Sequence, residues 1–324
     1  MNADPLFEDK TLPMLLAPPA DDNAGHNELV EWIQQNVETL DDWVHRAGAV
    51  LVRGYNVDTP EAFRDTCEAV RAELRNYVGG DSPRNAVTDQ VYTSTEYPAE
   101  LEVLLHNELA YAGWSPERVF FGCMTPAKTG GETHIADARQ VFSQLRKEVR
   151  RRFEDLGVIY HQYLWDASCA GGPGQSWQAT FETEDHTDVE LYLIDSEMKY
   201  EWTIDGLRTS SFHQGVIEHP LTGERCWNNQ ADQWHREMPS VKDSVGDADS
   251  DKKSAGIETF GNHVTFGDGS EIPLSDLLHI REVSRACEVV FPWQKGDFLI
   301  LDNVLAMHGR KPFTGDRDVI VAMA

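Results

Sequence analysis

The stretch KGDFLILDNVLAMHGRKPFTGDRDVIVAM, residues 295–323, gives the clearest indication of the fold. A glycine-containing turn leads into the apolar run 298–301, and a second apolar run follows at 319–323. Short apolar runs that are bounded by turn residues are typical of buried strands. His308 and Arg317 lie between the two runs, so the sequence predicts buried strands next to two side chains that can bind ligands.

The region after residue 155 contains further segments that are typical of strands. They lie at 158–163, 201–204, 263–266 and 288–291, with Gly, Pro and Asn residues between them. Because few helical segments alternate with these strands, a doubly wound parallel sheet is disfavoured. We therefore expect a mainly β fold, an antiparallel core with flanking helices, in a single domain over residues 1–324.

The first half of the chain contains the predicted helices. Apolar residues at steps of three and four predict an amphipathic helix over 27–47, and a buried strand follows at 49–52. Thr59 is followed by a proline and an acidic residue, which predicts a second helix to about residue 74 and places the N-terminal helices at about 27–75. Asp137 is expected to cap a third helix, whose core face carries Val141, Phe142, Leu145 and Val149.

Residues 239–256, PSVKDSVGDADSDKKSAG, form a polar segment that contains glycine. Such a composition is typical of a mobile loop inserted between ordered elements. The segment could act as a lid over a site or remain a solvated insertion, and the sequence leaves both interpretations open.

The composition excludes several classes of protein. The net charge of −27 argues against nucleic acid or an anionic membrane surface as the main partner. The five cysteines are widely spaced and contain no C-x-x-C pair, which is typical of buried thiols in a reducing cytoplasm. No secretory signal or apolar stretch of about 20 residues is apparent, so we expect a cytoplasmic protein. The oligomeric state stays open.

His106-x-Glu108 is a candidate metal-binding pair. Two ligands at positions i and i+2 share a face only in an extended chain, because in a helix they would point roughly 200° apart. His186-x-Asp188 has the same spacing, but Thr183 and the acidic residues after it predict a helix start there. That pair is therefore rejected. For His106 and Glu108, an ordinary buried histidine beside a surface carboxylate remains the alternative.

His308 is the candidate for a third ligand because it follows the predicted strand at 298–301. Two imidazoles and one carboxylate form the ligand set of a non-haem Fe(II) facial triad. Arg317 adds a guanidinium, which can bind a carboxylate through two parallel hydrogen bonds. The alternative for Arg317 is a surface salt bridge with Asp316 or Asp318.

Several motifs, in a fixed order, point to a known family. They are GAVLVRG at 48–54, TSTEYP at 93–98, HNELAY at 106–111, GGET at 130–133, ADAR at 136–139, SWQ at 176–178, and HGR at 308–310 through Gly315-x-Arg317. With these motifs the chain resembles the TauD/TfdA family of Fe(II)/2-oxoglutarate-dependent dioxygenases, and most closely its SyrP-like branch. Two positions depart from the family pattern. Asn228 stands where a Phe is frequent, and Asp318 stands where a basic or neutral residue is common.

The resemblance implies a fold and a set of ligands. The fold is a double-stranded β-helix, or jelly roll, of the clavaminate synthase type. His106, Glu108 and His308 would bind Fe(2+), and Arg317 with the hydroxyl of Thr133 would hold 2-oxoglutarate, while O2 is the second co-substrate. Related halogenases replace the carboxylate ligand by Gly or Ala, so Glu108 favours oxygenation over halogenation.

The resemblance also implies an activity. We expect hydroxylation of an unactivated C–H bond in an amino acid or aminoacyl substrate of secondary metabolism, with decarboxylation of 2-oxoglutarate to succinate and CO2. Desaturation is a variant of this outcome. The alternatives are a dioxygenase of sulfonate or aryloxy-acid catabolism and, from another class, a jelly-roll binding protein without catalysis.

Five residues are candidates for contact with the substrate, again by resemblance: Arg84, Trp177, Gln178, Asn229 and Arg310. The partner is expected to be a small molecule, free or tethered to a carrier protein. The basic run at 146–152 could bind an acidic carrier, although a solvated helix face is the simpler interpretation.

Overall fold

A computed structural model describes the chain except for residues 20–24, 72, 82–83, 170–171, 173 and 239–260. The described residues form eight helices: α1 His26–Ala47, α2 Pro60–Val70, α3 Ala138–Gln144, α4 Lys147–Leu156, α5 Trp177–Phe181, α6 His186–Asp195, α7 Ala231–Trp234 and α8 Leu274–Ala286. The first ten strands are β1 Ala3–Phe7, β2 Lys10–Leu16, β3 Ala49–Val52, β4 Ala86–Thr88, β5 Val91–Thr93, β6 Val103–His106, β7 Arg118–Thr125, β8 Thr129–Gly130, β9 Thr133–Asp137 and β10 Val158–Trp165. The others are β11 Lys199–Trp202, β12 Gly206–His213, β13 Val216–Glu218, β14 Arg225–Trp227, β15 Asn262–Phe266, β16 Glu288–Val289, β17 Phe298–Asp302, β18 Ala306–Arg310, β19 Phe313–Thr314 and β20 Asp318–Met323.

The largest sheet has eight strands in the order β1-β2-β3-β17-β7-β20-β5-β4, and β17 lies at its centre. Successive side chains of a strand point to opposite faces. Leu299 and Leu301 accordingly join one apolar core, while Phe298 and Ile300 join a second core on the other face. The run 298–301 is buried on both faces, which explains why all four of its residues are apolar.

The second core is closed by the N-terminal helices. Leu29 and Ile33 of α1 and Phe63 of α2 are fully buried there against the large sheet. Gly48 ends α1 in a left-handed conformation with φ of 84°, and its N–H donates to Val44 O. Glycine suits this conformation because it has no Cβ. These contacts place both helices outside the sheet, as predicted.

A four-stranded sheet in the order β16-β9-β18-β6 shares the first core with the large sheet. Ile135 of β9 and Met307 of β18 belong to the same buried cluster as Leu299 and Val321 of the large sheet. Two sheets around one core, with helices outside, confirm the predicted mainly β fold with its jelly-roll core. A further sheet, β11-β12-β10-β15, covers the core from another side.

Most predicted elements are present, but some of their limits differ. The helix predicted from 59 ends at Val70. The single helix expected after Asp137 is divided into α3 and α4, because Leu145 and Arg146 adopt extended ψ angles of 145° and 139°. The strand expected at 201–204 ends at Trp202, because a turn begins at the next residue, whose N–H donates to Gly206 O.

Two further predictions have different outcomes. The strand expected at 288–291 is limited to Glu288–Val289, the two residues that pair with β9. The predicted insertion at 239–256 lies outside the described residues. Within the described part of the chain, none of the helices combines the length and apolar character of a membrane span.

Candidate active site

The predicted pair of histidines meets on the four-stranded sheet. His106 is the last residue of β6, and His308 lies directly opposite it on the antiparallel strand β18. Their ring centroids are 4.5 Å apart. Residues 202 positions apart in the chain are therefore brought together by strand register, which neither motif could specify alone.

Glu108 lies just beyond the end of β6. The chain turns at the next residue, Leu109, whose φ is 55°. His308 Nε2 lies 3.4 Å from Glu108 Oε2. One donor atom from each of His106, Glu108 and His308 lies within 4.8 Å of the others, and we call this group the central cluster. The expectation of a strand is confirmed for His106 and is wrong for Glu108, which lies in the turn that follows β6.

A set of amide side chains holds the backbone at Glu108. Asn303 Oδ1 accepts a hydrogen bond from Glu108 N at 2.7 Å, and Asn303 Nδ2 donates to Glu108 O at 2.9 Å. Asn107 Nδ2 donates to Asn303 O at 2.6 Å, and Gln230 Nε2 donates to Asn107 O at 2.9 Å. Asn303 thus supplies the two bonds that a neighbouring strand would supply, and it fixes the backbone from which the Glu108 side chain extends.

The donor atoms of the central cluster fit a metal ion. His106 Nδ1 lies 2.8 Å from Leu104 O, and a carbonyl oxygen can only accept a hydrogen bond. The imidazole hydrogen is therefore on Nδ1, which leaves the lone pair of Nε2 available for a metal. His308 Nδ1 is buried and has no hydrogen-bond partner among the described residues. No hydrogen bond in the described structure therefore forces the hydrogen of the His308 ring onto Nε2, the nitrogen that faces the cluster.

The electrostatics of the central cluster favour the protonation states that a metal requires. Burial lowers the pKa of His106 to about 4, and His308 adds to this effect. Burial alone would raise the pKa of Glu108, but Arg84 and the two imidazoles outweigh it and hold the pKa of that carboxyl far below its usual range. At neutral pH the cluster therefore offers a carboxylate and a neutral His106 imidazole.

Three other histidine–carboxylate groups occur among the described residues, and two of them already contain a cation. In the group His45, His219 and Asp302, Arg118 Nη2 lies 2.7 Å from His45 Nε2 and occupies its lone pair. The other group consists of Glu102, His134 and Glu288, and Lys311 pairs with both of its carboxylates. A protein cation takes the place of a metal in each.

The remaining group is His235, His263 and Glu271, which we call the peripheral cluster. His235 Nδ1 accepts from Glu237 N at 3.3 Å, and His263 Nδ1 accepts from Arg236 N at 3.4 Å. Because each neutral ring then carries its hydrogen on Nε2, neither presents a lone pair to the space beside Glu271. This cluster does not fit a metal.

Thr133 and Arg317 lie close to the same sheet. Thr133 is a buried residue of β9, and its Oγ1 accepts a hydrogen bond from Trp293 Nε1 at 3.2 Å. Arg317 Nε donates to Gly131 O at 2.8 Å, and its Nη1 donates to Ser94 Oγ at 3.0 Å. Gly131 has a φ of 74°, and a Cβ built there would lie only 3.0 Å from Arg317 Cδ. The glycine therefore allows Arg317 to approach β9.

Arg317 makes no salt bridge with any carboxylate in the described part of the chain, so the alternative pairing with Asp316 or Asp318 is absent there. Burial lowers the pKa of Arg317 to about 10, with a further contribution from Arg310. A cation that is desolvated and lacks a counterion is suited to bind an anion.

The five substrate candidates are not brought together. Arg84 alone contacts the central cluster, with Nη2 2.7 Å from Glu108 Oε2. Trp177 is buried in a separate apolar cluster with Leu164 and Leu207, and its Nε1 donates to Asp166 Oδ2. These contacts give Trp177 a packing role.

The other three candidates use their polar groups within the chain. Gln178 Oε1 accepts from Ala167 N. Asn229 Nδ2 donates to Gly215 O, and its Oδ1 accepts from Ala231 N. Arg310 donates hydrogen bonds to three backbone carbonyls, those of Tyr97, Pro98 and Leu101. No contact recorded among the described residues joins any of the three to the central cluster.

The rejected pair His186-x-Asp188 lies on helix α6, as predicted. The N-cap is Asp185, whose carboxylate accepts from Thr187 N, and not Thr183. His186 stacks on Trp202 with ring centroids 4.1 Å apart.

Sequence reasoning missed Asn303 and Gln230, although both lie next to residues that it selected. Asn303 is part of the quoted stretch at 295–323, and Gln230 follows Asn229. An amide in a polar stretch has no distinguishing spacing. The roles of these two residues become apparent only from the hydrogen bonds of Asn303 to Glu108 and of Gln230 to Asn107.

Comparison with known proteins agrees with this geometry. The family model "Taurine catabolism dioxygenase TauD, TfdA family" matches residues 16–323. The chain is 35% identical to the dapdiamide synthesis protein DdaC of Enterobacter agglomerans, over 88% of this chain and 84% of that protein. It is 31% identical to a clavaminate synthase-like protein of Arabidopsis thaliana, over 98% of this chain and 94% of that protein.

A solved structure shows the same fold. PvcB of Pseudomonas aeruginosa matches with a TM-score of 0.54 at 14% sequence identity, and the match covers 99% of this chain and 90% of that one. The predicted jelly-roll fold and the predicted family are both confirmed. The chain belongs to the TauD/TfdA family of dioxygenases.

Proposed function

We propose that this protein is an Fe(II)/2-oxoglutarate-dependent dioxygenase in which His106, Glu108 and His308 hold the iron. The observation that carries the proposal is the central cluster, whose three donor atoms lie within 4.8 Å of one another. Two imidazoles and a carboxylate on one side of a metal leave the opposite side open for a co-substrate and O2. When bound, Fe(II) and 2-oxoglutarate supply the oxidising chemistry by activating O2.

The protein's own contribution is to orient and charge these ligands. Leu104 O accepts from His106 Nδ1 and so turns Nε2 toward the cluster. Asn303 holds the Glu108 backbone by hydrogen bonds to both its N–H and its C=O. Phe121 packs against the His308 ring at a centroid distance of 5.1 Å. Glu108 and His308 are buried, and charge interactions are stronger in such surroundings than in water.

We assign the far carboxylate of 2-oxoglutarate to Arg317 and Thr133. Because Trp293 donates to Thr133 Oγ1, the hydroxyl hydrogen of Thr133 is left to donate to an anion. Arg317 holds a positive charge without a recorded carboxylate partner, and its Nη2 makes no hydrogen bond to a described residue. A keto acid that chelates the metal at one end and meets this pair at the other would have both charges compensated.

For the reaction, we favour hydroxylation of an amino acid or aminoacyl group in the biosynthesis of a natural product. Two considerations support this choice. DdaC, at 35% identity, is named as a dapdiamide synthesis protein. Glu108 is present where related halogenases have a smaller residue, so it fills the coordination position that chloride would need.

We propose that the substrate is a small molecule that the protein meets in the cytoplasm. In the basic run, Arg146 and Arg152 pair with Asp276, and the guanidinium of Arg150 lies over the ring of Phe142. Only Lys147 and Arg151 are exposed and lack such a contact in the described structure. The run therefore gives little support to a docking site for a carrier protein, and a carrier-bound substrate is the alternative.

The proposal is tested by anaerobic addition of Fe(II) and 2-oxoglutarate. We expect a weak visible charge-transfer band in the wild-type protein and no band in His106→Ala or His308→Ala. His263→Ala, in the peripheral cluster, is the matched control and should keep the band. A wild-type protein without the band would instead support a binding protein that has lost its chemistry.

A further inference from the structure

Arg84 is a buried cation that the central cluster does not fully use. Its side chain is 5% exposed, and Nη2 lies 2.7 Å from Glu108 Oε2. Its guanidinium carbon lies 4.1 Å from the centre of the Tyr77 ring. Nε and Nη1 are buried and have no hydrogen-bond partner among the described residues. Two of its three nitrogens are thus desolvated and unsatisfied, which is unfavourable unless a ligand pairs with them.

The neighbouring Asp81 is firmly held. Its Oδ1 accepts from Gln162 Nε2 at 3.2 Å, and its Oδ2 accepts from Asn262 Nδ2 at 3.1 Å. Its backbone N–H donates to the Tyr111 hydroxyl at 2.6 Å. These bonds tie the backbone three residues before Arg84 to strands β10 and β15. The Arg84 guanidinium itself is held by its contacts with Glu108 and with the ring of Tyr77.

The charges of the proposed site are unbalanced without another anion. At its metal end, bound Fe(II) would contribute two positive charges and Arg84 one. Glu108 and the metal-end carboxylate of 2-oxoglutarate would contribute one negative charge each, so one positive charge would remain there. A buried charge without a partner is costly, and one more carboxylate would neutralise it.

We propose that Arg84 binds a carboxylate of the substrate and thereby places the substrate beside the metal. This inference rests on the proposed function and narrows its substrate class to acids. A guanidinium donates strong, charge-assisted hydrogen bonds to a carboxylate, and the unpartnered Nη1 provides the donors. The metal-end carboxylate of 2-oxoglutarate has the same chemistry, so the experiment must separate these two sources.

The first arm uses 2-oxoglutarate alone. The charge-transfer band of the anaerobic Fe(II) protein is titrated with 2-oxoglutarate in the wild type and in Arg84→Gln. Because Arg84 also pairs with Glu108, each protein is titrated at a concentration of Fe(II) that saturates it, and half-saturation by 2-oxoglutarate is then expected to change by less than about threefold. A loss of more than about tenfold would assign Arg84 to 2-oxoglutarate and overturn the proposal. If the wild type shows no band, the proposed function has failed, and this outcome is distinct from a failure at Arg84.

The second arm uses the twenty common L-amino acids and their carboxamides as probes. Their binding to the Fe(II)·2-oxoglutarate protein is followed by the shift of the same band. At least one acid should bind the wild type roughly tenfold more tightly than its carboxamide, which is the range for a charged hydrogen bond. Arg84→Gln should abolish that preference, and Arg84→Lys should restore part of it.

Two results of the second arm would reject the proposal: no acid is preferred by the wild type, or Arg84→Gln keeps the preference. Arg151→Gln, which removes an exposed arginine of α4 that makes no ion pair with a described residue, is the control for a general loss of charge. If Arg84→Gln does not fold, the comparison of acids with carboxamides in the wild type still decides whether a substrate carboxylate is recognised.

Discussion

The central and peripheral clusters contain the same residue types, two histidines and one glutamate, but only one of them fits a metal. In the central cluster, His106 Nδ1 faces a carbonyl oxygen, so Nε2 keeps its lone pair. In the peripheral cluster, both Nδ1 atoms accept from backbone N–H groups, so the hydrogens lie on Nε2. The hydrogen bond that Nδ1 makes, and not the residue type, decides whether Nε2 can bind a metal.

The carboxylates of the two clusters also differ, in how far each is exposed to solvent. Glu108 has a side chain that is 3% exposed, while the side chain of Glu271 is 57% exposed. Glu271 also pairs with Arg236 at 2.9 Å. The carboxylate of the peripheral cluster is therefore engaged at the surface, whereas that of the central cluster is buried.

The largest effect is expected from removing a central histidine. His106→Ala and His308→Ala should each weaken Mn(II) binding at least 100-fold, because each removes a proposed direct ligand. His235→Ala and His263→Ala should leave the affinity within about twofold. Isothermal titration calorimetry checks both, and the wild type should bind one metal ion per chain. If the wild type bound two metal ions per chain and His263→Ala bound one, the peripheral cluster would also be a metal site, and the distinction between the clusters would be wrong.

The next effect concerns the hold on Glu108. Asn303→Ala removes both hydrogen bonds to the Glu108 backbone and leaves these buried groups unpaired. We expect a loss of about 2–4 kcal/mol in the free energy of unfolding. Mn(II) affinity should fall about 10- to 100-fold, as for other groups that orient metal ligands. Urea denaturation and calorimetry measure the two quantities.

Asn229→Ala is the matched control, because its amide bonds to Gly215 O and Ala231 N and not to Glu108. It should destabilise the fold with little change in Mn(II) affinity. Equal metal affinities for the Asn303 and Asn229 variants would show that Asn303 is only a structural residue.

A smaller effect is expected at the proposed anchor for 2-oxoglutarate. Thr133→Val removes the hydroxyl while keeping the shape of a β-branched side chain. We expect the half-saturating concentration of 2-oxoglutarate to rise about tenfold, since a hydrogen bond to a charged group is lost. Mn(II) affinity should stay unchanged, and Thr133→Ser should keep most of the 2-oxoglutarate affinity. An unchanged Thr133→Val titration would remove Thr133 from the site.

The smallest effect is a pH dependence that belongs to the peripheral cluster. Burial lowers the pKa of His263 to about 4, below the usual value near 6.5 for an unfolded chain. Between these values the unfolded state binds more protons than the folded state. The contribution of His263 to stability is therefore complete above about pH 6.5 and is lost as the pH is lowered toward 4. From pH 7.5 to 5 we expect this histidine to account for a loss on the order of 1–2 kcal/mol. Denaturation of His263→Gln, compared with the wild type at both pH values, should show a smaller loss.

Of the proposed ligands, His106 and Glu108 could be selected because their spacing carries a geometric condition. His106 and Glu108 at i and i+2 predicted an extended chain, and the structure supplies a strand up to His106 and a turn at Glu108. Arg317 could be selected because a lone arginine precedes a buried strand. Trp177, Asn229 and Arg310 were selected by resemblance, and the sequence could not show that their polar groups are bound within the chain.

The sequence by itself determined the β core, because apolar runs such as 298–301 can be buried on both faces only inside a sheet. It also determined the family, because its motifs occur in a fixed order. Only the tertiary structure decided which histidines can bind a metal and what holds Glu108, since Asn303 lies 195 residues away in the chain. The physical reason is that a ring's tautomer and a carboxylate's direction depend on hydrogen-bond partners that strand register brings from distant segments.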